Sequence, residues 1–187
     1  MDTERKVSKL DWGLISKALS RYQIEGYEYV ELPWIIPLEY NLIIYNVPEN
    51  IHQTQTGALL GSAEQAFIMQ DWNHKLGKGQ FVSCSPCYRM EQYDTLHQEH
   101  FMKVELYIND DTSQSNYDRI IDQVRLIMHG FSLGYGTPEI VETKEGHDIY
   151  LNGIEVGSYG IRELGHIKWI YATGLAEPRF SLAKTAY

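Results

Sequence analysis

The chain has two cysteines, Cys84 and Cys87, among its 187 residues. That is too few for a disulfide scaffold and favours a reducing compartment. No apolar run approaches the ~20 residues that a membrane-spanning helix needs. The opening stretch, MDTERKVSKLDWG, is charged and lacks the apolar centre of a secretory leader. A cytoplasmic protein is therefore expected. Basic residues are also scarce: 16 Lys and Arg against 25 Asp and Glu leave a net charge of −9. Sequence-blind nucleic-acid binders work through a broad basic surface, and this chain has none overall, although a local basic patch on an acidic body fits the same counts. Internal repeats, low-complexity tracts and linkers are absent. What remains is ordinary globular composition, 43% apolar and 22% charged. A chain of this length buries roughly 70% of its unfolded surface, so it needs no metal or disulfide staple. One domain over residues 1–187 is expected. Fourteen tyrosines and four tryptophans add a rich aromatic load, and Trp34, Trp72 and Trp169 are assigned to core or interface.

Hydrophobic periodicity supplies the elements. Residues 8–25 read as an amphipathic helix with Leu10, Leu14, Ala18, Leu19 and Tyr22 on one face, stopped by Gly26. Tyr27 to Leu32 alternates as a strand and ends at Pro33. Residues 37–61 read as a loop-rich stretch with three short apolar groups. Ser62 caps a short helix, SAEQAFIMQ, with Gln65 at capping-box spacing. Gln80 to Tyr88 and Phe101 to Ile108 read as strands joined by a polar loop too long for a tight hairpin. Asp110 to Phe131 is the clearest helix, its apolar face carrying Ile120, Val124, Ile127, Met128 and Phe131. Extended pieces follow near 139–143, 148–151 and 154–159, and Asn152-Gly153 is the strongest hairpin signal in the chain. Residues 161–171 read as helix or loop, 174–176 as a short strand, and 180–187 as a helical stub. The order is not alternating. It predicts an α+β fold, an antiparallel sheet of about six strands flanked by helices.

Three segments carry more polar residues than strands need. In CYRMEQYDTLHQEHFMKVELY, Arg89 and Glu91 are two apart, and so are Phe101, Lys103 and Glu105, so each set shares a strand face. If the strands pair, cations, carboxylates and an aromatic ring converge on one surface. That surface could hold a phosphate and a flat heterocycle, or be a solvated face with a surface ion pair. In DIYLNGIEVGSYGIRE, Asp148 and Glu155 would approach across the hairpin. They are either solvated acids or a magnesium device, since that hard cation takes oxygen ligands. Gly157 and Gly160 bracket Ser158, would let backbone approach a ligand, and are followed by Arg162. In ATGLAEPRFSLAK, small residues at 172, 174 and 176 would keep one strand face bare before Arg179. Cys84-x-x-Cys87 lacks the second ligand pair of a structural zinc site and is assigned to structural thiols. His97 and His100, three apart in a loop, suit a metal or a phosphate or ribose contact.

Together these segments resemble the three motifs of class II aminoacyl-tRNA synthetases, over residues 8–184. GYEYVELPWI, ending at Pro33, resembles the first. Arg89, Glu91, His97 and Phe101 match the second, with the spacing of the aspartyl, asparaginyl and lysyl subgroup. DIYLNGIEVGSYGIR is similar, without a gap, to the aspartyl-type pattern, and EVGSYGIR also resembles ammonia-dependent asparagine synthetase. The third motif becomes Ala172-x-Gly174-x-Ala176-x-x-Arg179, with two glycines replaced by alanine.

The resemblance implies ATP-dependent activation of an amino-acid carboxylate to an adenylate, with magnesium, followed by transfer to an acceptor. It implies Arg89 on the α-phosphate, Phe101 stacked on adenine, Glu91 at the adenine amino group and His97 at phosphate or ribose. Asp148 and Glu155 would hold magnesium and phosphates, and Arg179 the γ-phosphate. Arg89 and Arg179 carry the catalytic role. Gln65 and Glu105 would hold the α-amino group, and Arg162 the substrate side chain, with Lys103 and Ser158 as further amino-acid contacts. Ile68 stands where aspartyl enzymes carry a lysine, which predicts a less cationic pocket and a small polar amino acid. With no anticodon-binding domain expected at either end, binding to bare tRNA should be weak, and the acceptor could equally be ammonia, a carrier or another amine. The first motif forms the dimer interface in the family, so a homodimer is expected. An amide-forming, asparagine-synthetase-like ligase and a non-catalytic regulatory paralogue are the rival readings.

Overall fold

Asp11 opens the first helix, α1 (Trp12–Ile24), by accepting the Leu14 N–H at 2.9 Å. The helix starts four residues later than its periodicity suggests and ends where Gly26 turns left-handed, φ +98°. The computed structural model describes residues 9–44, 47–90 and 93–186. Glu91, assigned above to adenine, lies outside them. Beyond Gly26 only β1 (Glu28–Tyr29) pairs as a strand; the expected run to Leu32 leaves the sheet edge, and β2 (Ile35–Ile36) joins a second, small sheet. Residues 37–61, expected as loop, contain α2 (Leu38–Ile44), a 3-10 turn at Pro48–Asn50, β3 (Gln53–Thr54) and β4 (Gly57–Leu59). Elements of two to seven residues are too short to show a period.

Then come α3 (Ala63–Trp72), β5 (Gln80–Tyr88), β6 (His100–Ile108), α4 (Gln114–Phe131), β7 (Glu139–Glu142), β8 (His147–Leu151), β9 (Ile154–Leu164), β10 (Ile167–Glu177) and α5 (Arg179–Thr185). Asn152 and Gly153 both adopt left-handed φ, +51° and +76°, as the β8–β9 hairpin turn requires. Residues 161–171 are neither helix nor loop: β9 runs on to Leu164, turns at Gly165, φ +54°, and returns as β10. β10 is buried almost throughout, so it reads as an apolar run without alternation.

The large sheet has seven strands rather than six, in the order β1-β5-β6-β10-β9-β8-β7. Only its β1–β5 pairing is parallel. The α+β class is thus confirmed. One face is covered by α1, α4 and α5, whose Leu14, Tyr22, Ile120, Val124 and Phe180 pack with Val104, Leu106, Ile170 and Leu175. The other face is covered at one end by α3, where Phe67 stacks on Tyr107 (5.0 Å) and Tyr107 on Trp169 (5.9 Å). Among the described residues no helix is long and apolar enough to cross a membrane.

The sheet carries a bulge in β10. Thr173 pairs with Glu105 and Leu175 with Val104, so Gly174 is the extra residue. A bulge shifts the alternation by one. Ala172 therefore faces the helical core, and Ala176 opposite Lys103 faces the other side. The expectation that residues 172, 174 and 176 bare one common face is corrected by that shift. Gly174 is needed for packing: a Cβ there would sit 2.7 Å from the ring of Tyr22, whose hydroxyl donates to the Gly174 carbonyl at 2.9 Å. The ring is fully buried and has nowhere to go, and overpacking of this kind costs about 1–3 kcal/mol. Gly174→Ala should lower the stability read from urea unfolding by that amount without changing the m-value.

Candidate active site

Strand register lays out the open face of the sheet in rows. Cys87 lies opposite Phe101, Ser85 opposite Lys103, and Ser83 opposite Glu105. The Lys103 row continues to Ala176, and the Glu105 row to Thr173, which meets Ser158 on β9; Ser158 in turn lies opposite Asp148. Where α3 stops covering this face a cleft opens. It is lined by Arg89, Leu96, His97, Gln98, Phe101, Lys103, Glu155, Val156, Gly157, Ser158, Thr173, Ala176, Pro178 and Arg179. Arg89, His97, Phe101, Lys103, Glu155, Ser158 and Arg179, drawn from three separate segments, thus meet at one place.

Arg89 is the first residue beyond β5, not a strand residue, so the alternation proposed for Arg89 and Glu91 does not apply to it. Its N–H donates to the Glu99 carbonyl, its Nε to the Gly61 carbonyl (both 3.1 Å), and its guanidinium lies 5.3 Å from the centre of the Phe101 ring. Cation and ring form one unit. His97 is held by Asp94, whose Oδ2 is 2.9 Å from Nδ1 and whose Oδ1 accepts the Leu96 and His97 N–H groups. The bond to the His97 ring and these two backbone donors bring the Asp94 carboxyl down to about 2. His100 lies outside the cleft lining, with its ring 6.4 Å from Tyr88, and among the described residues no group of three potential metal ligands occurs. Cys84 and Cys87 are free thiols. Burial pushes them to about 11 and about 12, which disfavours the nucleophilic thiolate.

Arg179 starts α5 and stands 3.6 Å from Glu155. A bulge between Ile149 and Tyr150 puts Tyr150 opposite Glu155. Asp148 nevertheless feels the Glu155 charge: burial first, then Glu155 and Glu145, raise its carboxyl above the ordinary value. Asp148 itself lies outside the cleft lining, whereas Glu155 is part of it. Gly157 lines the cleft, and Gly160 lies outside its lining. A Cβ at Gly157 would meet Thr173 (2.8 Å), and one at Gly160 the Tyr171 ring (2.6 Å), so both glycines accommodate the protein's own side chains.

Beside the cleft, under the start of α3, lies a buried polar layer. Gln65 accepts the N–H groups of Gly61 and Ser62 and donates to the Asn41 carbonyl. Its amide is thus engaged in building the helix start. Glu105 accepts from Ser62 Oγ (2.5 Å), the Ala63 N–H and Lys103 Nζ (2.8 Å). Arg162 is paired with Glu64, a residue that sequence reasoning missed: its Nη1 donates to both carboxylate oxygens, at 2.9 and 2.8 Å. The Trp169 indole donates to the same carboxylate at 2.7 Å. Glu64 and Arg162 are 98 positions apart, and an acid in a first helical turn reads simply as a favourable partner for the helix dipole. No local signal could have found the pair.

Solved structures that share this architecture are class II aminoacyl-tRNA synthetases. A pyrrolysyl-tRNA synthetase from Desulfitobacterium hafniense superposes with a TM-score of 0.75 at 15% identity, over 92% of this chain and 68% of that one. A second structure of pyrrolysyl-tRNA synthetase from that organism gives 0.75 at 14%, covering 95% and 70%. Seryl-tRNA synthetase from Pyrococcus horikoshii, solved with ATP, gives 0.71 at 19%, over 94% of this chain and 49% of that one. At such identities the likeness establishes the fold. No protein-family model matches the sequence, and no curated protein does.

The Glu105 cluster yields a pH test. Burial opposes the carboxylate, but the Lys103 charge and the hydrogen bonds from Lys103, Ser62 and Ala63 outweigh it and hold the carboxyl below its ordinary value. A depressed folded pKa contributes stability that is present above the unfolded value of about 4.3 and lost as pH falls through the folded one. Lys103→Met removes the largest favourable partner and with it the depressed pKa, so its stability deficit relative to the wild type should be greatest near neutral pH and shrink as the pH falls to where Glu105 is protonated in both. It should also cost about 3–5 kcal/mol at neutral pH, as expected when one member of a buried pair is deleted. Urea titrations between about pH 3 and about pH 7 would check both.

Proposed function

We propose that the chain is an AMP-forming ligase of the class II aminoacyl-tRNA synthetase type, acting on ATP and a small polar amino acid. The single observation that supports this most is the convergence of Arg89, His97, Phe101, Lys103, Glu155, Ser158 and Arg179 on one cleft, within a fold shared with synthetases. The gapless sequence likeness at 148–162 supports the aspartyl or asparaginyl branch and its asparagine-synthetase-like relatives.

In this reading adenine stacks on Phe101, on the face opposite or beside the Arg89 contact, and Arg89 reaches the α-phosphate. His97 and Arg179 take the outer phosphates. Asp148 and Glu155 would hold magnesium, whose charge would offset that of the phosphates. An oxygen of the amino-acid carboxylate attacks the α-phosphorus, and the bond from that phosphorus to the bridging oxygen breaks. Pyrophosphate leaves with the bonding electrons. No general base is needed, because the carboxylate is already ionised at neutral pH. Arginines placed before the reaction stabilise charge as it develops. The bulge at Gly174 bears on the altered third motif: Ala172 faces the core, so only Ala176 meets the cleft. The acceptor is a separate question: tRNA, ammonia or another amine would each complete the reaction. The net charge of −9 favours a small amine, or a tRNA delivered by a partner, over tight binding of bare tRNA.

ATP–pyrophosphate exchange screened over all amino acids tests the reading. Arg89→Ala should reduce exchange about 10²-fold or more, and Phe101→Ala should raise the KM for ATP, since base stacking is worth about 1–3 kcal/mol. Undiminished exchange in Arg89→Ala would remove the mechanism.

Assembly as a homodimer is part of the same reading. Within the first-motif run, Leu32 and Ile36 are buried, whereas Trp34 and Ile35 are about half exposed, at 49% and 45%. Two adjacent large apolar side chains exposed where β2 begins suit a two-fold contact. Light scattering should give a dimer mass for the wild type at micromolar concentration and a monomer mass for Trp34→Glu; a monomeric wild type would refute the assembly.

A further inference from the structure

We propose that Glu64 sets the side-chain specificity of this site by neutralising Arg162, so that the activated amino acid carries an uncharged hydrogen-bonding side chain, a carboxamide or hydroxyl, and not a carboxylate. The inference rests on the ligase reading above. Arg162 follows Ser158 and Gly160 along the open face of β9, beyond the cleft. Its guanidinium lies 4.0 Å from the centre of the Tyr171 ring, and 30% of its side chain remains exposed. Taken alone, such a cation invites a carboxylate ligand.

It is not alone. Nη1 is bonded to both oxygens of Glu64, which is 6% exposed, and Nη2 is 3.5 Å from Glu145, whose side chain is 80% exposed. The Trp169 indole fixes the Glu64 carboxylate from the other side. One cation thus faces one buried and one rim carboxylate. A substrate carboxylate would meet both negative groups at a cation already shared between them, and bringing like charges together in this way is unfavourable. A cationic side chain would face the guanidinium itself. An amide or hydroxyl can accept from the remaining guanidinium hydrogens and donate to a carboxylate, leaving no charge unpaired. Discrimination then comes from a repulsive element built in beside the cleft, which is how a site separates near-isosteric ligands.

The test is ATP–pyrophosphate exchange by the full chain with asparagine, glutamine and serine against aspartate and glutamate. The wild type should favour the uncharged member of each near-isosteric pair by about tenfold or more in kcat/KM. Glu64→Gln keeps the shape and releases the Arg162 charge, and should shift the aspartate-to-asparagine ratio toward aspartate by about tenfold or more. Should Glu64→Gln not fold, Glu145→Gln at the exposed rim should move the ratio the same way by a smaller factor. A wild type that prefers aspartate, or a Glu64→Gln variant with an unchanged ratio, overturns this inference while leaving the ligase reading standing. Exchange with no amino acid at all overturns the ligase reading, and this inference with it.

Discussion

A carboxylate with 4% of its surface exposed must find its partners inside the protein, and Glu105 finds them on its own strand and on the helix above. Lys103, two residues away on the same face of β6, supplies the charge. Ser62 and the Ala63 N–H, at the start of α3, supply the rest. One group thus pins a helix N-terminus to the middle of the sheet. Several groups beside the cleft are placed by that pin. It brings Gly61 to within reach of Arg89, sets Glu64 over Arg162, and turns the Gln65 amide back onto the chain entering the helix.

The two faces of the sheet then serve different ends. The face under α1, α4 and α5 is a continuous apolar core around Tyr22, Val104, Ile170 and Leu175. The opposite face begins as an aromatic stack under α3 and becomes polar and open where that helix ends. The change of character falls within single strands. β6 carries Tyr107 in the stack, Glu105 at the boundary, and Lys103 and Phe101 in the cleft. β10 makes the same passage from Trp169 to Ala176, but only because the bulge at Gly174 resets its alternation. Without that extra residue, Ala176 and Lys103 could not share a face.

Charge is handled throughout by pairing: Lys103 with Glu105, Arg162 with Glu64, Arg179 with Glu155, and Asp94 with His97. The first two pairs are largely buried and fix geometry. Arg179–Glu155, at 3.6 Å and partly exposed, is looser, and such a pair can exchange partners when an anion arrives. Asp148 departs from that pattern: burial first, then the acids Glu155 and Glu145, raise its carboxyl, with His147 acting against them.

Periodicity, caps and turn residues determined much of this protein locally. Ser62 and Gln65 marked the start of α3, Asn152-Gly153 marked its hairpin, the amphipathic runs marked α1 and α4, and spacing by two put Phe101, Lys103 and Glu105 on one face. These features were legible because each depends on residues within a few positions of one another. Four things were decided only in three dimensions. β10 was hidden, since a strand buried on both faces has no alternation, and the end of β9 through Leu164 was hidden because its pairing with β10 defines it. The short elements between 37 and 61 were hidden, since they hold their form through contacts with α3 and one another. The bulge at Gly174 was hidden because it is a property of register between strands. Glu64 on Arg162 was hidden because a bond across 98 positions exists only after the sheet and the helix have met.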